Sequence, residues 1–216
     1  MLLRIVFCAL ASVAVVPTAA SASPQLTYPT GTRLAAGSKV TGTNVGAVKF
    51  TTSSFIAECG SAPLTGELTS NTGTAMELSV TSASFSGTGA GGDCTSGLGD
   101  VRITPNPATN GLPWCMRATN GMSPDEFRFR GNSCINALRP LRFVLDFTSP
   151  LLECVYEKTG EIAGSFTTEP EDARLSISGS FEKIEGGLFC PSTMSLDMTT
   201  TLEADTTSSS DPMYIS

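Results

Sequence analysis

Leu64-Thr65-Gly66-Glu67-Leu68-Thr69, followed shortly by Met76-Glu77-Leu78-Ser79-Val80-Thr81, decides the fold class of this chain. Apolar residues and glycine take every second position, and polar residues fill the gaps. Side chains alternate across a β-strand, so this pattern puts one face of each strand on a core and the other in water. The same parity returns in Met194, Leu196, Met198 and Leu202, with Thr200 interrupting, and in Glu126-Phe127-Arg128-Phe129-Arg130. Helical periodicity is nearly absent. Gly, Pro, Ser and Thr clusters punctuate the runs at short intervals. The expected fold is all-β, an antiparallel sandwich or barrel.

The first of these stretches has a counterpart. Leu64-Thr65-Gly66-Glu67-Leu68, then Leu78 to Phe85, then Gly91-Gly92 lie between Cys59 and Cys94. Lys158-Thr159-Gly160-Glu161-Ile162, then Leu175 to Phe181, then Gly186-Gly187 lie between Cys154 and Cys190. The likeness extends on both sides and defines a tandem duplicated unit, about 45–104 and about 142–201, with a central insert, 105–141. Two units are too few for a solenoid, so facing halves related by a pseudo-twofold are expected. Six cysteines remain outside the N-terminal apolar run: Cys59, Cys94, Cys115, Cys134, Cys154 and Cys190. Six cysteines allow fifteen pairings. If each unit closes on itself, Cys59 pairs with Cys94 and Cys154 with Cys190, which leaves Cys115 for Cys134. The alternative is a cross-paired set that links the units.

Residues 1–22 have the form of a secretory signal peptide: Arg4, an apolar run from Ile5 to Val16, and Ala20-Ser21-Ala22 before Ser23. Cleavage near Ala22-Ser23 leaves a secreted, extracellular region, 23–216, with three disulfides. No later segment approaches a membrane span. Residues 205–216 read as a polar, mobile tail. Loss of Arg4 moves the formal charge from −7 to −8. An acidic chain of this kind is no partner for nucleic acid or for anionic membranes.

Histidine is absent. That excludes a Ser-His-Asp or Cys-His nucleophile and any histidine metal site. No Cys-x-x-Cys pair suggests zinc or dithiol redox chemistry, and nothing calls for a cofactor. Asp93, Asp100 and the glycines between 87 and 99 match no calcium loop and read as a flexible hairpin loop. Glu58 and Glu153 each precede the first cysteine of their unit. Facing carboxylates can hydrolyse glycosides, but both alternate with an inward cysteine and should point to water.

Gly111-Leu112-Pro113-Trp114-Cys115, the stretch Thr159 to Thr168 and the ending Pro212-Met213-Tyr214-Ile215-Ser216 resemble a set of secreted actinobacterial proteins of about this length. The resemblance implies an exported, disulfide-bonded, β-rich bacterial protein of unknown function. It carries no activity and no site residue.

One region differs electrostatically. Arg117, Arg128, Arg130, Arg139 and Arg142 face only Asp125 and Glu126 between 105 and 142, a net charge of +3. Arg128 and Arg130 share a strand face opposite Phe127 and Phe129, and Trp114 is the single tryptophan. Trp114, Arg128 and Arg130 are therefore the candidate binding face for an anionic or glycan ligand. The competing reading is a solvated strand beside a core tryptophan. The expected function is non-catalytic: a secreted binding or structural protein whose partner is unknown. The alternatives are a carboxylate-dependent, glycoside hydrolase-like enzyme and a small-molecule carrier with an internal apolar cavity.

Overall fold

The computed structural model describes residues 25–105, 112–119, 122–123, 125–136, 139–148, 151–168, 173–205, 210–212 and 214–215. Residues 1–22, read above as a signal peptide, lie outside them. Seventeen strands follow one another: β1 (Leu26–Thr27), β2 (Lys39–Asn44), β3 (Val48–Thr52), β4 (Ile56–Cys59), β5 (Leu64–Asn71), β6 (Ala75–Ala83), β7 (Cys94–Ser96), β8 (Gly99–Pro105), β9 (Trp114–Thr119), β10 (Glu126–Gly131), β11 (Leu141–Thr148), β12 (Leu151–Lys158), β13 (Ile162–Thr168), β14 (Ala173–Gly186), β15 (Thr193–Asp205), β16 (Ser210–Pro212) and β17 (Tyr214–Ile215). All pairings are antiparallel.

The two long strands reveal the plan. Along one edge β14 pairs with β15, residues 173–182 against 193–202. Along its other edge β14 pairs with β13 at Ala173–Ile177 and with β12 at Glu182–Gly186. The free edge of β15 takes β2 at Thr200–Ala204 and β3 at Met194–Asp197. So β2–β3 is one long ribbon with a short break, and so is β12–β13. The Val45 N–H donates to the Thr199 carbonyl at 2.8 Å and spans the first break. The same continuity joins β4–β5, β6–β7, β8–β9 and β10–β11. Six broken ribbons and two unbroken strands make eight staves, each paired with its neighbours in sequence order. The last pairs with the first. The sheet therefore closes as an up-and-down barrel, which leaves no edge in the ring. Sandwich geometry is ruled out by that closure.

Unit 45–104 fills the lower first, second, third and lower fourth staves. Unit 142–201 fills the corresponding positions four staves further round. The segment between them is part of the ring, since β9 and β10 sit between β6 and β13. The disulfides are Cys59–Cys94, Cys115–Cys134 and Cys154–Cys190, the within-unit set. The first joins β4 to β7, and the third ties β12 to the β14–β15 turn. Cys59 and Cys154 lie on the inward parity, opposite Val48 and Leu145. Cys115 lies on the outward parity, and Cys134 covers it from an excursion of the chain over the outer wall.

An eight-stranded barrel is just wide enough for side chains to fill. Alternation decides which ones. Leu64, Leu68, Met76, Leu78, Val80, Met194, Leu196, Met198 and Leu202 are buried inside. Thr200, which breaks the apolar parity, is inside too, fully buried against Gly42. The core is richer than the modest aromatic content suggests, because the rings meet in one place. Phe143 lies edge-on or tilted to Phe50, Phe85, Trp114 and Phe181, with centroids 5.3–5.8 Å away. Outward positions are polar: Thr65, Glu67 and Thr69 on β5, and Ser195, Asp197 and Thr201 on β15. This is the reverse of the outward apolar band of a membrane-spanning barrel. Among the described residues no helix is long and apolar enough to cross a membrane.

Several inward positions require glycine, and Gly164 shows why. Gly164 stands directly opposite Phe127, whose ring lies over it. A Cβ there would overlap that ring. Gly164→Ala should therefore displace Phe127 and cost about 1–3 kcal/mol in urea unfolding. Loss of well under 1 kcal/mol would mean that the ring has room to move.

One end of the barrel, the N-terminal end, is plugged. Leu26 and Leu34 are buried there, held by the Asn71 side chain. Asn71 accepts from the Leu26 N–H (3.1 Å) and donates to the carbonyls of Leu26 (2.8 Å) and Leu34 (3.0 Å). The C-terminal stretch read as a mobile tail is partly ordered: β16 pairs with β15, and β17 with β1. The opposite, turn end carries the β3–β4, β7–β8, β11–β12 and β14–β15 connections. Phe55 closes it from within, edge-on to Phe147 at 5.0 Å.

Tyr156 is buried near that end, and its hydroxyl donates to the Pro191 carbonyl at 3.1 Å. Burial pushes its phenol up to about 12. The folded state thus holds this proton more tightly than the unfolded chain, whose tyrosines titrate near 10. The corresponding stability is complete below pH 10 and is lost as pH rises towards 12, on the order of 2–3 kcal/mol. Unfolding measured across that window should show the fall, and Tyr156→Phe should remove it. An unchanged slope in the variant would assign the alkaline loss to other groups.

Candidate functional site

The three residues of the candidate binding face do not share a face. Trp114 is 1% exposed and points into the barrel, edge-on to Phe129 at 5.4 Å. The reason is parity: Trp114, Met116 and Ala118 are the inward set of β9, between the outward Cys115 and Arg117. Its Nε1 is buried and has no hydrogen-bond partner. Arg128 and Arg130 do lie on the outer wall, opposite the buried Phe127 and Phe129.

Neither arginine is free for a ligand. Arg128 pairs with Glu126 on its own strand. Arg130 reaches over the covering excursion, and its Nη2 donates to the carbonyls of Cys134 (2.8 Å) and Asn136 (3.3 Å). It works with the Cys115–Cys134 bridge to hold that excursion down. Arg117 pairs with Glu77 across to β6 at 3.3 Å. Arg142 pairs with Glu157 across to β12 at 2.6 Å, the most buried ion pair of the set. The basic region is thus largely neutralised by bonds within the molecule, and Arg117 ties it to the first unit.

The other candidates also spread out. Glu58 is exposed on β4 and paired with Lys49 at 3.1 Å. Glu153 is exposed on β12. They stand on the second and sixth staves of eight, so they point away from each other on opposite walls. The Asp93–Asp100 segment is tied down by both carboxylates. Asp100 accepts from the Ala90 N–H at 2.9 Å, and Asp93 pairs with Arg102 at 3.4 Å. Among the described residues no cluster of His, Cys, Asp or Glu is placed to hold a metal ion.

Among the described residues, a small apolar void lies inside the barrel beside Gly42 and Gly66, lined by Val40, Leu64, Leu78 and Leu175. Its volume is about 20 Å³, room for roughly one water molecule.

Large apolar side chains outside are distributed unevenly. Leu188 (100% exposed), Leu151 (92%) and Phe189 (83%) sit at the turn end, with Ile56, Leu98 and Ile184 at the same end. The opposite end has none of comparable exposure among the described residues. Sequence periodicity could not single these residues out, because each sits in or next to a turn, or on the outward face near a strand end. Their juxtaposition depends on the up-and-down connectivity.

The fold is that of an up-and-down β-barrel with a packed interior and a polar outer wall. Comparison of the chain with protein-family models, with curated proteins and with solved structures gave no match.

Proposed function

We propose that this is an exported, non-catalytic binding or structural protein that works through its outer surface. The observation that carries this reading is the filled interior. A void of about 20 Å³ offers no room for a carried ligand or an internal substrate. The separation of Glu58 from Glu153 leaves the glycosidase alternative without its facing carboxylates. Three disulfides suit an oxidising compartment, which agrees with export by the 1–22 segment and with the resemblance to secreted actinobacterial proteins. Placement of the two sequence-similar units four staves apart supports their reading as copies of one ancestor.

Trp114 supplies the test, because the only tryptophan lies in the barrel core. Titration with long-chain fatty acids and with anilinonaphthalene sulfonate should leave its emission unchanged. Saturable one-to-one quenching would place a ligand inside and establish a carrier instead.

A further inference from the structure

The turn end repeats one device. Ile56, Leu98 and Leu151 each stand at or beside a turn, and each is followed two residues on by a carboxylate: Glu58, Asp100 and Glu153. Residues two apart share a strand face, so each carboxylate lies on the outer wall roughly 7 Å behind its apolar neighbour. The fourth turn presents Leu188 and Phe189, with Glu185 behind them on β14. The result is an apolar crown on four turns above an acidic collar. The local cations are engaged: Lys49 with Glu58, Arg102 with Asp93, and Lys183 with the carbonyls of Gly187 and Cys190. Glu153 and Glu185 have no cationic partner among the described residues.

We propose that this crown docks the protein onto a zwitterionic lipid surface, with the tips in hydrocarbon and the collar among the headgroup ammonium ions. The shape favours a lipid. The crown is spread over four separate connections around the barrel rim, and its outermost side chains are 83–100% exposed. A folded partner would need a matched hollow for every tip, whereas hydrocarbon conforms to all of them. Interfacial segments bury their apolar side by about 5–10 Å, which brings the collar to headgroup level. Charge sets the kind of surface. Anionic lipid would repel the collar, and in a head-to-head pair of copies the two collars would face each other. This proposal rests on the outer-surface reading, and the two fail separately: Trp114 quenching tests the interior, vesicle binding the crown.

The experiment is flotation of the intact, oxidised protein with phosphatidylcholine vesicles. Wild type should float. Leu188→Ser with Phe189→Ser, both outside the core, should weaken binding at least about tenfold. Ile135→Ser is the control. Ile135 is 86% exposed on the excursion over the outer wall, away from the crown, and its loss should change nothing. Replacing part of the phosphatidylcholine by phosphatidylglycerol should weaken binding, and added salt should restore it. The proposal is overturned if wild type does not float, which would leave the crown to a protein partner. Equal loss in the Ile135 variant, no loss in the crown variant, or a preference for anionic vesicles overturns it too. So does self-association in sedimentation that vanishes with the crown variant while vesicles stay unbound.

Discussion

Reduction of all three disulfides should abolish the cooperative unfolding transition or lower its midpoint by tens of degrees. The bridges close separate loops of 35, 19 and 36 residues. In the chain-entropy model each contributes about 3–4 kcal/mol, and because the loops do not overlap the terms add to roughly 10 kcal/mol. Native domains of ordinary stability have only about 5–15 kcal/mol in total. All six cysteines are buried, so reduction must be done in denaturant and the reduced chain returned to buffer. Calorimetry of the reduced and oxidised forms gives the answer. A reduced protein with an unchanged melt would mean that the aromatic core alone holds the barrel.

The second large effect is expected from Phe143→Ala. Phe143 is where the parts of the chain meet: Phe50 and Phe85 come from the first unit, Phe181 from the second and Trp114 from the segment between them. Removing the ring loses its burial and leaves a cavity among side chains fixed to a closed sheet, which has little freedom to collapse. Truncations of this kind cost about 3–5 kcal/mol. For a chain of this size that lowers the melting midpoint by roughly 10–15 °C. Emission from Trp114 should change in the same variant, since it loses a neighbouring ring. A cost below about 1 kcal/mol would show that the ring contacts are incidental.

Much of this was legible in the residues. Two-residue alternation gave strand identity and facing, down to Phe127 and Phe129 inside and Arg128 and Arg130 outside. Matched cysteine positions gave the pairing. Closure was not legible. It depends on β15 pairing over its whole length with two short strands, β2 and β3, and the break at 45–47 makes one stave look like two elements. Breaks hid the other five ribbons as well. The tryptophan was a surface candidate because it is unique and close in sequence to the arginine-bearing strand, yet parity on β9 turns it inward. Thr200 looked like an interruption, but its hydroxyl takes the space that Gly42 leaves on the neighbouring strand. The arginines of 105–142 gave a true charge excess, and only the cross-strand register reveals the glutamates that meet it.

The central claim is that the sheet closes on itself around a filled interior. Closure is tested at the seam, by nuclear Overhauser contacts and amide exchange in the oxidised protein. Gly42 should show cross-strand contacts to Leu202, and Phe50 to Leu196, with slow exchange along β2, β3 and β15 alike. Missing contacts and fast exchange along β2, β3 and the facing edge of β15 would mean an open sheet with free edges, and the barrel account would be wrong.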